Sequence, residues 1–167
     1  MQPLTWFERT FTFGFPTSML PFLLERLDGT IIRVQQKIDG IPEEHLGFRM
    51  DDKWSIKENI GHLLEVDVIS GKRIGEIAAG QAMLSRADVQ TAGHYNEMSI
   101  RAIVAEFTTG RQTNIRRLLA LSEKELAMTS LHPRLKVPMS PVDLAWFDAE
   151  HDDHHLVRIN QIVKPHR

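Results

Sequence analysis

The sequence has no cysteine among its 167 residues. This excludes a disulfide framework, thiolate metal ligands and a protein thiol nucleophile, and leaves His, Asp and Glu as the side chains able to bind a transition metal. A thiol brought in as a co-substrate is not excluded. An excess of positive charge is also missing: 20 Lys and Arg against 22 Asp and Glu give a net charge of −2, without the basic stripe of a nucleic-acid binder. The adjacent Arg116 and Arg117 are isolated and read as a solvated helix face. No apolar run approaches the ~18 residues needed to span a membrane. The N-terminal MQPLTWFERTFTFGF lacks the basic start of a signal peptide, and Glu8 and Arg9 interrupt its apolar residues. Repeats and low-complexity segments are absent as well. The expectation is a soluble, cytoplasmic protein that binds neither nucleic acid nor membrane.

What is present is an ordinary globular composition, 42% apolar and 25% charged, at a length that suits one domain over residues 1–167. Four stretches carry helical periodicity. The first, Thr17 to Asp39, spaces Leu20, Leu23, Leu24, Leu27, Ile31, Val34 and Ile38 by threes and fours. Pro21 fits only near its first turn and Gly40 is a stop. The second, Ser55 to Ala79, opens on the capping box SIKE and carries Ile56, Ile60, Leu63, Ile74 and Ile77 on one stripe. The third, Ser99 to Leu121, turns Ile103, Phe107, Ile115 and Leu118 or Leu119 inward. The fourth starts at SPVD, with Ser140 as cap, Pro141 in the first helical position and Asp143 closing the box, and continues to about Val163. Four amphipathic helices without alternating strands predict an all-α four-helix bundle. The link from Gly80 to Met98 is long enough, at up to ~3.3 Å per residue, to run the length of a helix.

The eight histidines are unevenly spread, and three fall within the five residues from His151 to His155. His151 and His155 are four apart, so both project from one helix face and can reach one metal ion. Leu144, Ile159 and Ile162 share that stripe, which makes it core-facing. His154, one position round, is a geometric alternative to His155, but its stripe neighbours Phe147 and Arg158 look peripheral. A buried imidazole pair needs partners, and His62 on the second helix offers a third ligand, with Gly61 beside it allowing close approach of another helix. Three imidazoles with open positions form a catalytic rather than a closed structural arrangement. Zn, Ni, Fe or Mn are candidate ions.

His45, His94, His132 and His166 fall in connections or at the terminus and are expected at the surface. Glu58 and Glu65 flank His62, while Asp148 and Asp152 flank the histidine pair. Each could orient a ring, but solvated positions are expected for them. Glu65 and Asp148 are the candidates for a proton acceptor. Trp54 and Trp146 read as core or core edge, and no spacing assigns Arg111 or Asn96 to a pocket.

WSIKENIGHLLEVD, Trp54 to Asp67, and FDAEHDDHHLVRI, Phe147 to Ile159, resemble the two signatures of the DinB/YfiT-like superfamily: Trp-Ser-x-x-Glu…His-Leu, then His-x-x-x-His before an aliphatic residue. PFLLERLDGTIIRVQQKIDGI and LHPRLKVPMSPVDLAWF resemble one branch of it, so the likeness covers most of the chain. The resemblance implies an up-down-down-up bundle with a long crossover between helices 2 and 3, often a homodimer, and a divalent metal held by His62, His151 and His155. It implies that His154 is not the usual ligand. Family members include thiol-dependent S-transferases, a thiol-dependent maleylpyruvate isomerase, proteins proposed to be metal-dependent hydrolases, and stress-induced proteins with no known reaction. The expectation is therefore a metal-dependent enzyme on a small molecule, with transfer of a low-molecular-weight thiol first. Hydrolysis and a non-enzymatic metal-binding stress protein are the alternatives.

Overall fold

Four long helices form where the periodicity and the caps put them. The computed structural model describes residues 2–50, 53–89 and 93–163; His166 lies outside them. Helix α1 is Leu20–Ile38, α2 Ile56–Ala78, α3 Ile100–Leu119 and α4 Pro141–Val163. Both predicted capping boxes are made. Ser55 Oγ accepts from Glu58 N (3.1 Å) while Glu58 Oε2 accepts from Ser55 N (2.8 Å). Ser140 and Asp143 repeat the exchange at α4. Asp143 also accepts from the backbone N–H groups of Gly14 (2.7 Å) and Phe15 (3.0 Å), which ties the N-terminal segment to the same helix start.

Side-chain pairings give the direction of each helix. Arg26 pairs with Glu150 and Asp153, and Lys37 Nζ donates to Asn160 Oδ1 (2.6 Å), so α1 and α4 advance together and are parallel. Asn114 Nδ2 donates to Asp67 O (2.6 Å), and Arg117 lies against Gly71, so α2 and α3 are parallel too. Asn59 meets His155 while Ser70 meets Asp148, which makes α2 and α4 antiparallel. The order is up-down-down-up, as expected, with the crossover lying between α2 and α3.

The bundle core divides into two apolar clusters. Val34, Ile60, Leu63, Phe107 and Ile159 fill one end. Leu23, Ile77, Leu118, Met139 and Leu144 fill the other. Leu118 faces in, while Leu119 is exposed. Between the clusters lies a polar waist. Arg111 is wholly buried there and pairs with Asp67 and Asp152, while Thr30 Oγ1 donates to Asp152 Oδ2 (2.8 Å). Burying a guanidinium is costly unless each donor is matched, and here two carboxylates and the carbonyl of Leu27 match it. The network fixes α4 relative to α1, α2 and α3 one residue away from His151.

Two departures from the sequence reading bear on the site. A two-stranded antiparallel sheet pairs β1 (Ser130–Leu131) with β2 (Pro138–Met139), and the crossover joins it through Leu84 N to Leu131 O (3.0 Å). Strands of two residues are too short to show a period of two. The aromatic residues Trp6, Phe11, Phe13 and Phe15, given no role by the sequence reading, pack against Trp146 and Phe147 of α4. Phe147 is buried by them rather than peripheral.

Candidate metal centre

At the waist the structure brings His62 of α2 together with His151 and His155 of α4. Each offers one ring nitrogen, and the three nitrogens all lie within 4.8 Å of one another. His155 Nε2 and His151 Nε2 are 3.2 Å apart. Two imidazoles on one tetrahedral ion at the usual ~2.05 Å would place their nitrogens about 3.3 Å apart, so the spacing suits a shared cation. His154 is not in the group. Its ring is half-buried, perpendicular to that of His155 and tilted against Trp6.

The tautomer of His155 follows from its neighbour. Asn59 Nδ2 donates to Trp54 O (3.2 Å) and Ser55 O (2.7 Å), which fixes the amide with Oδ1 towards His155. Asn59 Oδ1 is 2.8 Å from His155 Nδ1 and can only accept. Nδ1 therefore carries the hydrogen and Nε2 presents a lone pair to the cluster. His62 Nδ1 faces Glu65 Oε2 at 3.7 Å, and both atoms are buried with no hydrogen-bond partner among the described residues. A carboxylate behind the outer nitrogen of a ligand histidine is the usual orienting arrangement. Tyr95 O–H steadies that carboxylate from the other side (3.4 Å).

Burial holds all three rings neutral. His62 is pushed down to about 4, while His151 and His155 are held well below the ordinary 6.5, chiefly by desolvation and then by neighbouring histidines. Neutral imidazoles with free lone pairs are the form a metal needs. Gly61 does permit a close approach, but to Tyr95 of the crossover rather than to another bundle helix; a Cβ there would overlap the tyrosine ring.

His62 and His151 open onto a cavity of about 480 Å³, and His155 lies behind them. Asp148 shares this cavity wall. Its carboxyl is buried and hydrogen-bonded by Ser70, and desolvation raises it to about 7. Asp148, Asp152 and Glu58 are thus buried rather than solvated. Each is on an inward stripe and has a partner: Ser70, Arg111 and Arg49 respectively. Glu65 is half-buried. His45 and His94 are exposed as expected, but His132 is buried in the cavity wall, with the hairpin turn wrapped round it. Asn59 is a site residue that sequence reasoning passed over, and His132 is one that it placed at the surface. Asn59 left a signal, since it precedes His62 by three residues on the same face. The hairpin that buries His132 left none.

Comparison with known proteins agrees with the fold. The DinB superfamily profile matches residues 26–159. Among solved structures, YfiT from Bacillus subtilis, described as "a probable metal-dependent hydrolase with an unusual four-helix bundle topology", is similar with a TM-score of 0.80. The identity is 12%, and the alignment covers 94% of this chain and 93% of that one. At that identity the likeness is one of fold. No curated protein sequence matches the chain.

Proposed function

The chain belongs to the DinB superfamily, and from that premise we propose that it is a divalent-metal-dependent enzyme acting on a small molecule, with His62, His151 and His155 as the ligands. The observation that carries the proposal is the gathering of three neutral imidazoles within 4.8 Å of one another at the floor of a cavity. Zn, Ni or Fe suits an all-imidazole donor set better than Mn, which prefers oxygen. When bound, the ion would supply Lewis acidity, lowering the pKa of a water or thiol and polarising a substrate oxygen.

The chain's own residues supply the rest. Asn59 holds His155 in orientation, and closure of the 3.7 Å gap between Glu65 and His62 Nδ1 on metal binding would orient the second ring. Glu65 is accordingly a positioning residue in this reading, not the proton acceptor. Asp148 lines the cavity beside His62 and His151, and its carboxyl, raised to about 7 by burial in the metal-free protein, is placed to accept a proton there. Trp6 and Phe147 give the cavity an apolar wall.

Asp148 supports hydrolysis as the reaction, because an attacking water needs an acceptor for its proton. The structural neighbour YfiT is described as "a probable metal-dependent hydrolase". Thiol transfer is the second reading. It draws on the absence of cysteine, which obliges any thiolate to enter from outside, and on the same open face of the site. A panel of 4-nitrophenyl esters, and a chromogenic electrophile given with and without cellular thiols, separates the two. Metal-dependent ester turnover without thiol supports hydrolysis, and turnover only with thiol supports transfer. Failure of metal to stimulate either reaction would refute the enzymatic reading.

A further inference from the structure

The cavity wall holds a second set of mismatched polar groups, away from the three ligands. His132 Nδ1 accepts from the backbone N–H groups of Arg134 (3.3 Å) and Leu135 (3.1 Å), so this nitrogen carries no hydrogen. Burial, with Arg73 and Arg134 beside it, holds the ring neutral by pushing it down to about 4. Its one hydrogen is therefore on Nε2. That N–H faces Arg73 Nη1 at 3.3 Å, and Nη1 is also a donor. Arg73 cannot turn away, because its Nε and Nη2 both donate to Ser85 O, at 3.3 and 3.0 Å. Among the described residues, no acceptor is paired with either group. Arg134 is exposed at the same cavity, its guanidinium resting on the Phe7 ring (5.2 Å to the centroid). Arg86 adds a third arginine to this wall, while Asp148 and Glu76 act on Arg73 through space without taking its free Nη1 donor. An acceptor with negative charge would match both donors, and charge-assisted bonds of this kind are strong.

We propose that Arg73 and His132, with Arg134 at the rim, form an anion subsite, so that the substrate carries a carboxylate or phosphate on an apolar body whose reacting end faces His62 and His151. The assignment of the reacting end rests on the metal-enzyme reading above; the subsite itself does not. Phenylacetate, phenyl phosphate and the neutral phenylacetamide are titrated calorimetrically into the full-length protein, once loaded with Zn²⁺ and once after chelation. The expected result is that at least one anion binds about tenfold or more tightly than the amide in both states, and the tighter anion identifies the group. Arg73→Met should abolish the preference. Arg134→Gln, at an exposed position that leaves folding intact, should weaken the anions several-fold and leave the amide unchanged; it decides the matter if Arg73→Met fails to fold. A preference that vanishes on chelation would mean that the metal holds the anion, and would overturn the subsite while leaving the metal reading intact. Equal binding of anion and amide, or a preference untouched by either variant, would also overturn it. Absence of Zn²⁺ binding with the preference retained would leave the subsite standing and remove the metal reading alone.

Discussion

Asn59→Ala should weaken metal binding by about 10–100-fold although Asn59 touches no metal. Its amide oxygen, 2.8 Å from His155 Nδ1, dictates which ring nitrogen bears the hydrogen. With the amide removed, the ring is free to carry its hydrogen on Nε2, the atom that lies 3.2 Å from His151 Nε2. The affinity loss corresponds to about 1.4–2.7 kcal/mol. The same truncation strands the buried His155 Nδ1–H, at about 1–3 kcal/mol, and removes a part-buried donor from Trp54 O, so the metal-free protein should also melt lower. Two measurements separate these effects. Competition with a chromophoric chelator gives the Zn²⁺ affinity directly. Circular dichroism melts with and without Zn²⁺ give the stabilisation by metal, which should shrink by the same free energy as the affinity. Asn59→Asp keeps an acceptor and should retain most of the affinity. Wild-type affinity in Asn59→Ala would refute the argument that this amide sets the orientation of His155.

Arg111→Met leaves Asp67 and Asp152 buried without a cation and should cost about 3–5 kcal/mol, measured by urea unfolding; a loss under 1 kcal/mol would show the waist to be plastic. Gly61→Ala should lower Tm despite the better helix propensity of Ala, because the added Cβ overlaps Tyr95; in a Tyr95→Ala background the same change should be neutral or stabilising. Burial holds the Asp148 carboxyl at about 7 against an ordinary 3.8. The stability tied to its proton is therefore fully present below about pH 3.8 and is lost as pH rises through about 7. Asp148→Asn mimics the neutral acid, so its Tm advantage over wild type should widen from about pH 4 to 7 and then level off, while turnover falls. A constant Tm difference across that range would show that the carboxyl titrates normally.

The helix ends were legible because each depends on a local, short-range device. Ser55 with Glu58 and Ser140 with Asp143 are read three residues apart and form as read. The histidine pair was legible for the same reason, since a spacing of four fixes a shared face before any tertiary contact exists. Relating His62 to that pair took the expected bundle, with the family pattern to strengthen it, because no local rule connects residues ninety positions apart. The polar waist was partly legible. Arg111 follows Phe107 by four and precedes Leu118 by seven, and Asp67 follows Leu63 by four, so charged residues stand on apolar stripes. Read singly, such residues are taken as solvated; their burial depends on finding one another across the bundle. The N-terminal aromatics and His132 lay out of reach, since they are placed by contacts of high sequence separation and no regular period marks them.

The metal content of the purified, Zn²⁺-reconstituted protein tests the central claim most directly, measured by mass spectrometry on wild type, His151→Ala/His155→Ala and His154→Ala. The expected result is about one ion per chain in wild type and in His154→Ala, and none in the double variant. Equal metal in wild type and the double variant, or none in wild type after reconstitution, would contradict the proposed centre.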